Sequence, residues 1–132
     1  MQKVTGIGGF FFKSKDPEKL NKWYEDNLGI PRSDPGKISG GWWTDAVPSI
    51  VCADPEDAGF GGSGQSWYIV FTVTDLDAMI TQLRNNEILV ELKHDTTVFG
   101  KFACLDDPEG NHIELWEASD EVLSHRPASK SL

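Results

Sequence analysis

The decapeptide Asp107-Pro108-Glu109-Gly110-Asn111-His112-Ile113-Glu114-Leu115-Trp116 sets a carboxylate in the middle of an otherwise apolar strand. β-Propensity disfavours glutamate there, and burying its charge without a partner is costly. Two kinds of chemistry would justify it. The carboxylate can ligate a metal ion, or it can act in general acid–base catalysis. A buried glutamate with no cation beside it holds its proton closer to neutrality and can pass it on. His112 stands about 7 Å away along the same strand, at the usual rise. Alternation puts His112, Glu114 and Trp116 on one face and Ile113 and Leu115 on the other.

A tight turn must aim this strand. Asp107-Pro108 followed by Glu109-Gly110-Asn111 supplies it, since proline fixes φ and glycine or asparagine accepts positive φ. Two further segments share one plan. Gly6 to Lys13 reads as a strand, then Asp16-Pro17-Glu18 caps a helix whose apolar residues Leu20, Trp23, Tyr24 and Leu28 recur at helical spacing up to Gly29. Ser66 to Val73 is the second strand, and Asp75 caps a helix with Leu76, Met79, Ile80 and Leu83 as its stripe. Laying Asp16 on Asp75 lays Leu20 on Met79 and Tyr24 on Leu83 without gaps. Shorter strand candidates follow each helix: 32–39, 41–44 and 49–53, then 89–93, 99–105 and 111–117. The pattern is βαβββ twice, an α+β architecture with modules at about 5–58 and 65–118. The glycine-rich 59–64 stretch links them, and 119–132 is expected to trail along the surface. That glycine run lacks a Lys followed by Ser or Thr and opens no helix, so it is not a phosphate loop.

The 132 residues suit one domain with a real core. A net charge of −9 argues against a nucleic-acid partner, which needs a basic face. No apolar run approaches the ~20 residues of a membrane span. The start of the chain lacks the apolar centre of a signal peptide, and Cys52 and Cys104 read as buried reduced thiols, so a cytoplasmic location is expected.

The duplicated plan, Lys15-Asp16-Pro17 entering the first helix, Trp23-Tyr24 and Leu28-Gly29 near its end, and the 107–116 motif together resemble the vicinal oxygen chelate superfamily. Glyoxalase I, extradiol dioxygenases and the bleomycin- and fosfomycin-resistance proteins belong to it. The likeness covers about residues 5 to 118. It implies paired βαβββ modules forming a curved sheet around a cleft, with a metal at its centre that chelates neighbouring oxygens of the substrate. Metal-binding members supply His, Gln or Glu from the first strand of each module and Glu from each last strand. Transferred by position, Glu114 matches, Tyr68 stands where His is expected, and Gly9 has nothing to donate. The last strand of the first module offers Cys52 or Asp54. The expectation is therefore a cleft without a resident cofactor. A divalent ion (Zn, Ni, Mn or Fe) on Glu114, with His112, is the competing one.

Alternation from Gly9 and Tyr68 turns Phe11 and Lys13 inward beside Val70 and Thr72. Phe11, Trp42, Trp43, Tyr68, His112 and Trp116 are then the expected ligand contacts, with Glu114 the expected catalytic group. The main functional expectation is a glyoxalase-like protein binding a small aromatic or amphipathic molecule, as a homodimer. The alternatives are a metal-dependent lyase, isomerase or dioxygenase, and an antibiotic-sequestering protein, with which the acidic charge is compatible.

Overall fold

Each half opens with a strand that runs into a capped helix. β1 (Gly6–Ser14) leads to α1 (Pro17–Leu28), where Asp16 Oδ1 accepts from the Lys19 amide at 3.1 Å. β4 (Trp67–Thr72) leads to α2 (Leu76–Asn85), where the Asp75 side chain accepts from the Ala78 amide at 3.0 Å. These caps satisfy amides that the first helical turn leaves without partners. β2 (Trp42–Trp43) and β3 (Pro48–Pro55) follow the first helix. β5 (Glu91–Leu92), β6 (Gly100–Asp106) and β7 (His112–Ala118) follow the second, and α3 (Asp120–Ser124) comes last. The computed structural model describes residues 1–28, 32, 42–43, 48–57, 64–93 and 98–126. The helix stop expected at Gly29, most of the 32–39 strand candidate and all but Gly64 of the glycine-rich link lie outside the described residues.

All the described strands join in one mixed sheet, ordered β2-β3-β1-β4-β7-β6-β5. The halves meet where β1 runs antiparallel to β4, while β3 and β7 flank that pair in parallel. The first strands of the two modules are thus the central seam. Register slips once between Ile7 and Gly9. Gly8 lies there with Trp116 close behind it, since a Cβ at Gly8 would sit 2.7 Å from the Trp116 ring.

One face of the sheet carries α2. Leu76, Met79 and Ile80 pack there on Val73, Ala103 and Leu115. On the other face, Val70, Trp116 and Val122 form a second cluster, edged by Phe11, Tyr68, Phe99 and Phe102. Val122 belongs to α3, so the segment expected to trail along the surface is in part docked. Ser119 caps α3 by accepting from the Val122 amide at 3.1 Å, and Val122 is fully buried. Burying a valine contributes on the order of 1.5 kcal/mol or more. A helix this short depends on such docking, because alone it cannot offset its nucleation cost. The polar composition of the segment hid this single anchor.

Gly100 and Gly110 both hold positive φ, +125° and +85°, but in different surroundings. A Cβ at Gly100 would run into the Glu117 carbonyl, whereas Gly110 faces open space. Gly110→Ala should cost about 1–2 kcal/mol, the ordinary left-handed penalty. Gly100→Ala should cost at least ~2 kcal/mol more, since strain and overlap act together. Urea denaturation of the two variants measures the difference; equal costs would refute the packing at β6–β7.

Candidate functional site

Sheet register decides which residues share the face opposite α2. Gly9 pairs with Val70 and Phe11 with Tyr68 across the seam. The alignment of Asp16 with Asp75 lays Gly9 on Tyr68 and Phe11 on Val70, so each pair maps onto the other, as a pseudo-twofold axis between the strands requires. Phe11 also pairs with Cys52, and Val70 with Glu114. Cys52 is therefore the counterpart of Glu114, which resolves the choice between Cys52 and Asp54. Gly9, Cys52, Tyr68 and Glu114 are the symmetry-related central positions.

Each of these is shaped by its neighbours. The Phe11 ring lies over Gly9: a Cβ there would be 2.7 Å from Phe11 Cε2. The same ring stacks on Tyr68, centroids 4.9 Å apart and planes 8° from parallel. Burial pushes the Tyr68 phenol well above its ordinary range, and the charges of Glu114, Asp54 and Cys52 push it further. The Cys52 thiol is raised by burial and then by Asp54, while its hydrogen bond from Asn21 pulls the other way. Asn21 also ties α1 to β3, accepting from the Ala53 amide at 2.9 Å and donating to the Ala53 carbonyl at 3.2 Å.

Glu114 is buried, with its side chain 8% exposed, and its charge is met. Lys93 Nζ donates to Glu114 Oε2 at 2.7 Å. Lys93 follows β5, where its amide bonds the Phe102 carbonyl, so it reaches across β6 to β7. Its side chain remains 47% exposed. A glutamate without a cation was one premise of the acid–base expectation, and that premise does not hold. Sequence reading missed Lys93, although a buried carboxylate demands a partner. Among the lysines flanking the second-module strands, alternation puts Lys93 on the face of Glu114. Lys101, paired with Glu117 in the sheet, is on the other.

The remaining expected contacts divide. The turn forms as read: Asp107 Oδ1 accepts from the Glu109 and Asn111 amides, both at 2.9 Å. Those bonds, that of the Asn111 side chain first, hold the Asp107 carboxyl below its usual range. His112, which follows, turns to Asp106 with Nδ1 3.0 Å from Oδ1. Its Nδ1 thus has Asp106, and Glu114 has Lys93, as partner. Trp116 is 3% exposed; its Nε1 donates to the Phe99 carbonyl at 2.8 Å and its ring stacks on Phe102. It packs beneath α3 and is not an open wall. Trp42 and Trp43 form β2 beside Ser49 and Pro48, and their side chains lie outside the described residues.

A family model described as the Glyoxalase/Bleomycin resistance protein/Dioxygenase superfamily matches residues 7–115. The chain belongs to that superfamily. In fold this superfamily member is similar to a crystal structure of catechol 2,3-dioxygenase, with a TM-score of 0.63 at 22% identity, over 89% of this chain and 40% of that chain. It therefore spans well under half the length of the dioxygenase. It is also similar to methylmalonyl-CoA epimerase from Mycobacterium tuberculosis, TM-score 0.61 at 20% identity, over 92% and 93% of the two chains. A methylmalonyl-CoA epimerase in complex with methylmalonyl-CoA and NH4+ gives 0.64 at 18% identity, over 91% and 99%. Identities this low speak for the fold alone. Among curated proteins, none matches the chain.

Two outcomes are expected from the central residues. Lys93→Met leaves Glu114 buried without its cation and should cost about 1–3 kcal/mol, less than a fully buried pair because the ammonium is half exposed. Adding Glu114→Gln should return part of that loss, so a double-mutant cycle shows coupling; strict additivity would refute the pair. Tyr68 bears on stability at alkaline pH. Folded, it keeps a proton that the unfolded chain releases near pH ~10, so its contribution is whole below that pH and lost above it. Tyr68→Phe should therefore flatten the alkaline loss of stability seen by circular dichroism.

Proposed function

We propose that this superfamily member binds a small aromatic or amphipathic molecule on the face bearing Phe11, Tyr68 and Glu114, and that it does so without a resident metal. The observation that carries the reading is the Lys93–Glu114 pair. A cation is already bonded to the one carboxylate at the central positions, where a metal would need it. The other positions do not fit a divalent ion either. Gly9 is covered by the Phe11 ring and has no side chain to donate, and burial raises the Tyr68 phenol and the Cys52 thiol above their ordinary ranges. Divalent ions need three or more protein ligands in defined geometry. Among the described residues, no group of three or more His, Cys, Asp or Glu side chains is placed to hold one.

The chemistry left is recognition. The Phe11–Tyr68 stack offers flat apolar surface, on which a planar ligand gains both burial and ring contact. Lys93 spends one donor on Glu114 and keeps others for a carbonyl or hydroxyl oxygen of the ligand. The unit is a single domain of two modules, about 5–58 and 65–118, acting as a cytoplasmic homodimer. Phe10 and Trp67, stacked 6.0 Å apart and both exposed, supply an apolar surface for a second copy.

The test is titration of the purified protein, with and without a chelator, against aromatic metabolites and antibiotics, followed by tryptophan fluorescence. Saturable binding that survives chelation and weakens by about tenfold in Phe11→Ala is expected, the loss of one good aromatic contact. Stoichiometric Zn, Ni, Mn or Fe in the purified protein, lost together with turnover in Glu114→Gln, would instead establish the metalloenzyme reading.

A further inference from the structure

We propose that a groove of about 820 Å³ at the turn end of β6 and β7 is a separate binding site, and that it takes a lipophilic cation. Its residues come from both faces of the sheet and from the Asp107-Pro108 turn. None of Phe11, Tyr68, Lys93 and Glu114 lines it. The volume falls in the range of sites that hold a drug-sized molecule, roughly 300–1,000 Å³.

The walls are aliphatic. Ile88, Leu89 and Val90, from the segment between α2 and β5, face Leu105 and Ile113 of β6 and β7. Leu89 is 91% exposed, an apolar side chain left in water at the groove's edge. It extends the apolar lining of the cavity out to solvent, where a ligand can meet it. The charged lining is all of one sign apart from His112: Glu91, Asp106 and Asp107. His112 is bonded to Asp106, and the Asp107 carboxylate is held by the turn amides. Among the described residues, no lysine or arginine lines the groove. Lys93 is held by Glu114, and Arg84 donates to the Val90 carbonyl at 3.2 Å from outside. Cys104 is on the groove wall. Burial raises its thiol; Lys93, the strongest of the nearby charges, lowers it, and Glu91, Glu114 and Asp106 raise it.

Chemistry selects the ligand class. An anion would meet the carboxylates. A hydrophilic cation such as a free polyamine would leave the aliphatic walls wet. A bulky organic cation, with its charge spread under apolar groups, uses both, because weak hydration makes it cheap to desolvate.

Tetraphenylphosphonium and tetraphenylborate are ions of closely similar size and opposite charge, and calorimetric titration with each tests the proposal on the full chain. The cation should bind at one site per chain, and the anion should bind at least about tenfold more weakly. Glu91→Gln combined with Asp106→Asn should weaken the cation by about tenfold, as expected of two exposed charges together, and Leu89→Arg should weaken it as well. These side chains are exposed, so circular dichroism should show the fold unchanged. Equal affinity for the two ions overturns the proposal. So does cation binding that Phe11→Ala abolishes and the groove variants spare, since the ion would then occupy the other site. A concentration-dependent dimer that Leu89→Arg breaks, with no cation bound, also overturns it and makes the groove an interface between copies. The two sites share no variant, so failure here leaves the reading of the Phe11–Tyr68 face standing.

Discussion

Antiparallel pairing of β1 with β4 is the constraint on which the rest of this structure depends. It joins the two halves into one sheet and sets the register that brings Gly9 opposite Val70 and Phe11 opposite Tyr68. Because β3 and β7 pair in parallel with these two strands, the same register decides that Cys52 and Glu114 lie at matching depths. A slip of one residue at the seam would send Tyr68 and Val70 to the helix side and expose Phe71 on the other. The single irregularity, between Ile7 and Gly9, is placed where Gly8 lets β1 approach Trp116. Position of the site and packing of the core are thus one problem with one solution.

Electrostatics at the centre follow from burial. A carboxylate enclosed as Glu114 is must be paired or must give up its charge, and Lys93 pairs it at 2.7 Å. Such a pair contributes little net stability, because desolvation offsets most of the attraction. Replacing both partners by apolar residues would be close to neutral. Its retention by this chain is better understood through what the half-exposed ammonium can do next, namely offer a hydrogen bond at the edge of an apolar face. The phenol of Tyr68 stays neutral beside it, so the local field is that of a compensated pair with polar groups around it.

Local signals made the strand–helix units and the Asp107 turn legible. Asp16 and Asp75 announce both helices, and the gapless alignment between them already places Gly9 with Tyr68. The position of Glu114 follows from alternation alone. What escaped sequence reading involves partners distant along the chain. Lys93 and Glu114 are separated by β6, so no periodicity connects them, and only the rule that buried charge needs a partner could have raised the question. The docking of α3 rests on one valine within a polar run. Trp116 carries the pattern of a cleft residue, yet lies under α3 because that helix covers its end of the face. The groove beside Leu89 draws residues from both faces and a turn, which no strand pattern can anticipate.

The absence of a side chain at Gly9 and the stacking of Phe11 on Tyr68 are best understood as a single feature. A donor placed at position 9 would begin from a Cβ 2.7 Å from the Phe11 ring, so it could enter only if that ring left. If the ring left, Tyr68 would lose a partner at 4.9 Å and with it part of the burial that keeps its phenol neutral. Introducing a ligating residue at one central position therefore disturbs two others at once. Coupling of this kind runs through a packed aromatic pair rather than a hydrogen-bond network, and it resists stepwise change. A flat apolar surface at the middle of the sheet is accordingly self-reinforcing, and it favours ligands that can lie against a ring over ligands that need a metal to hold them.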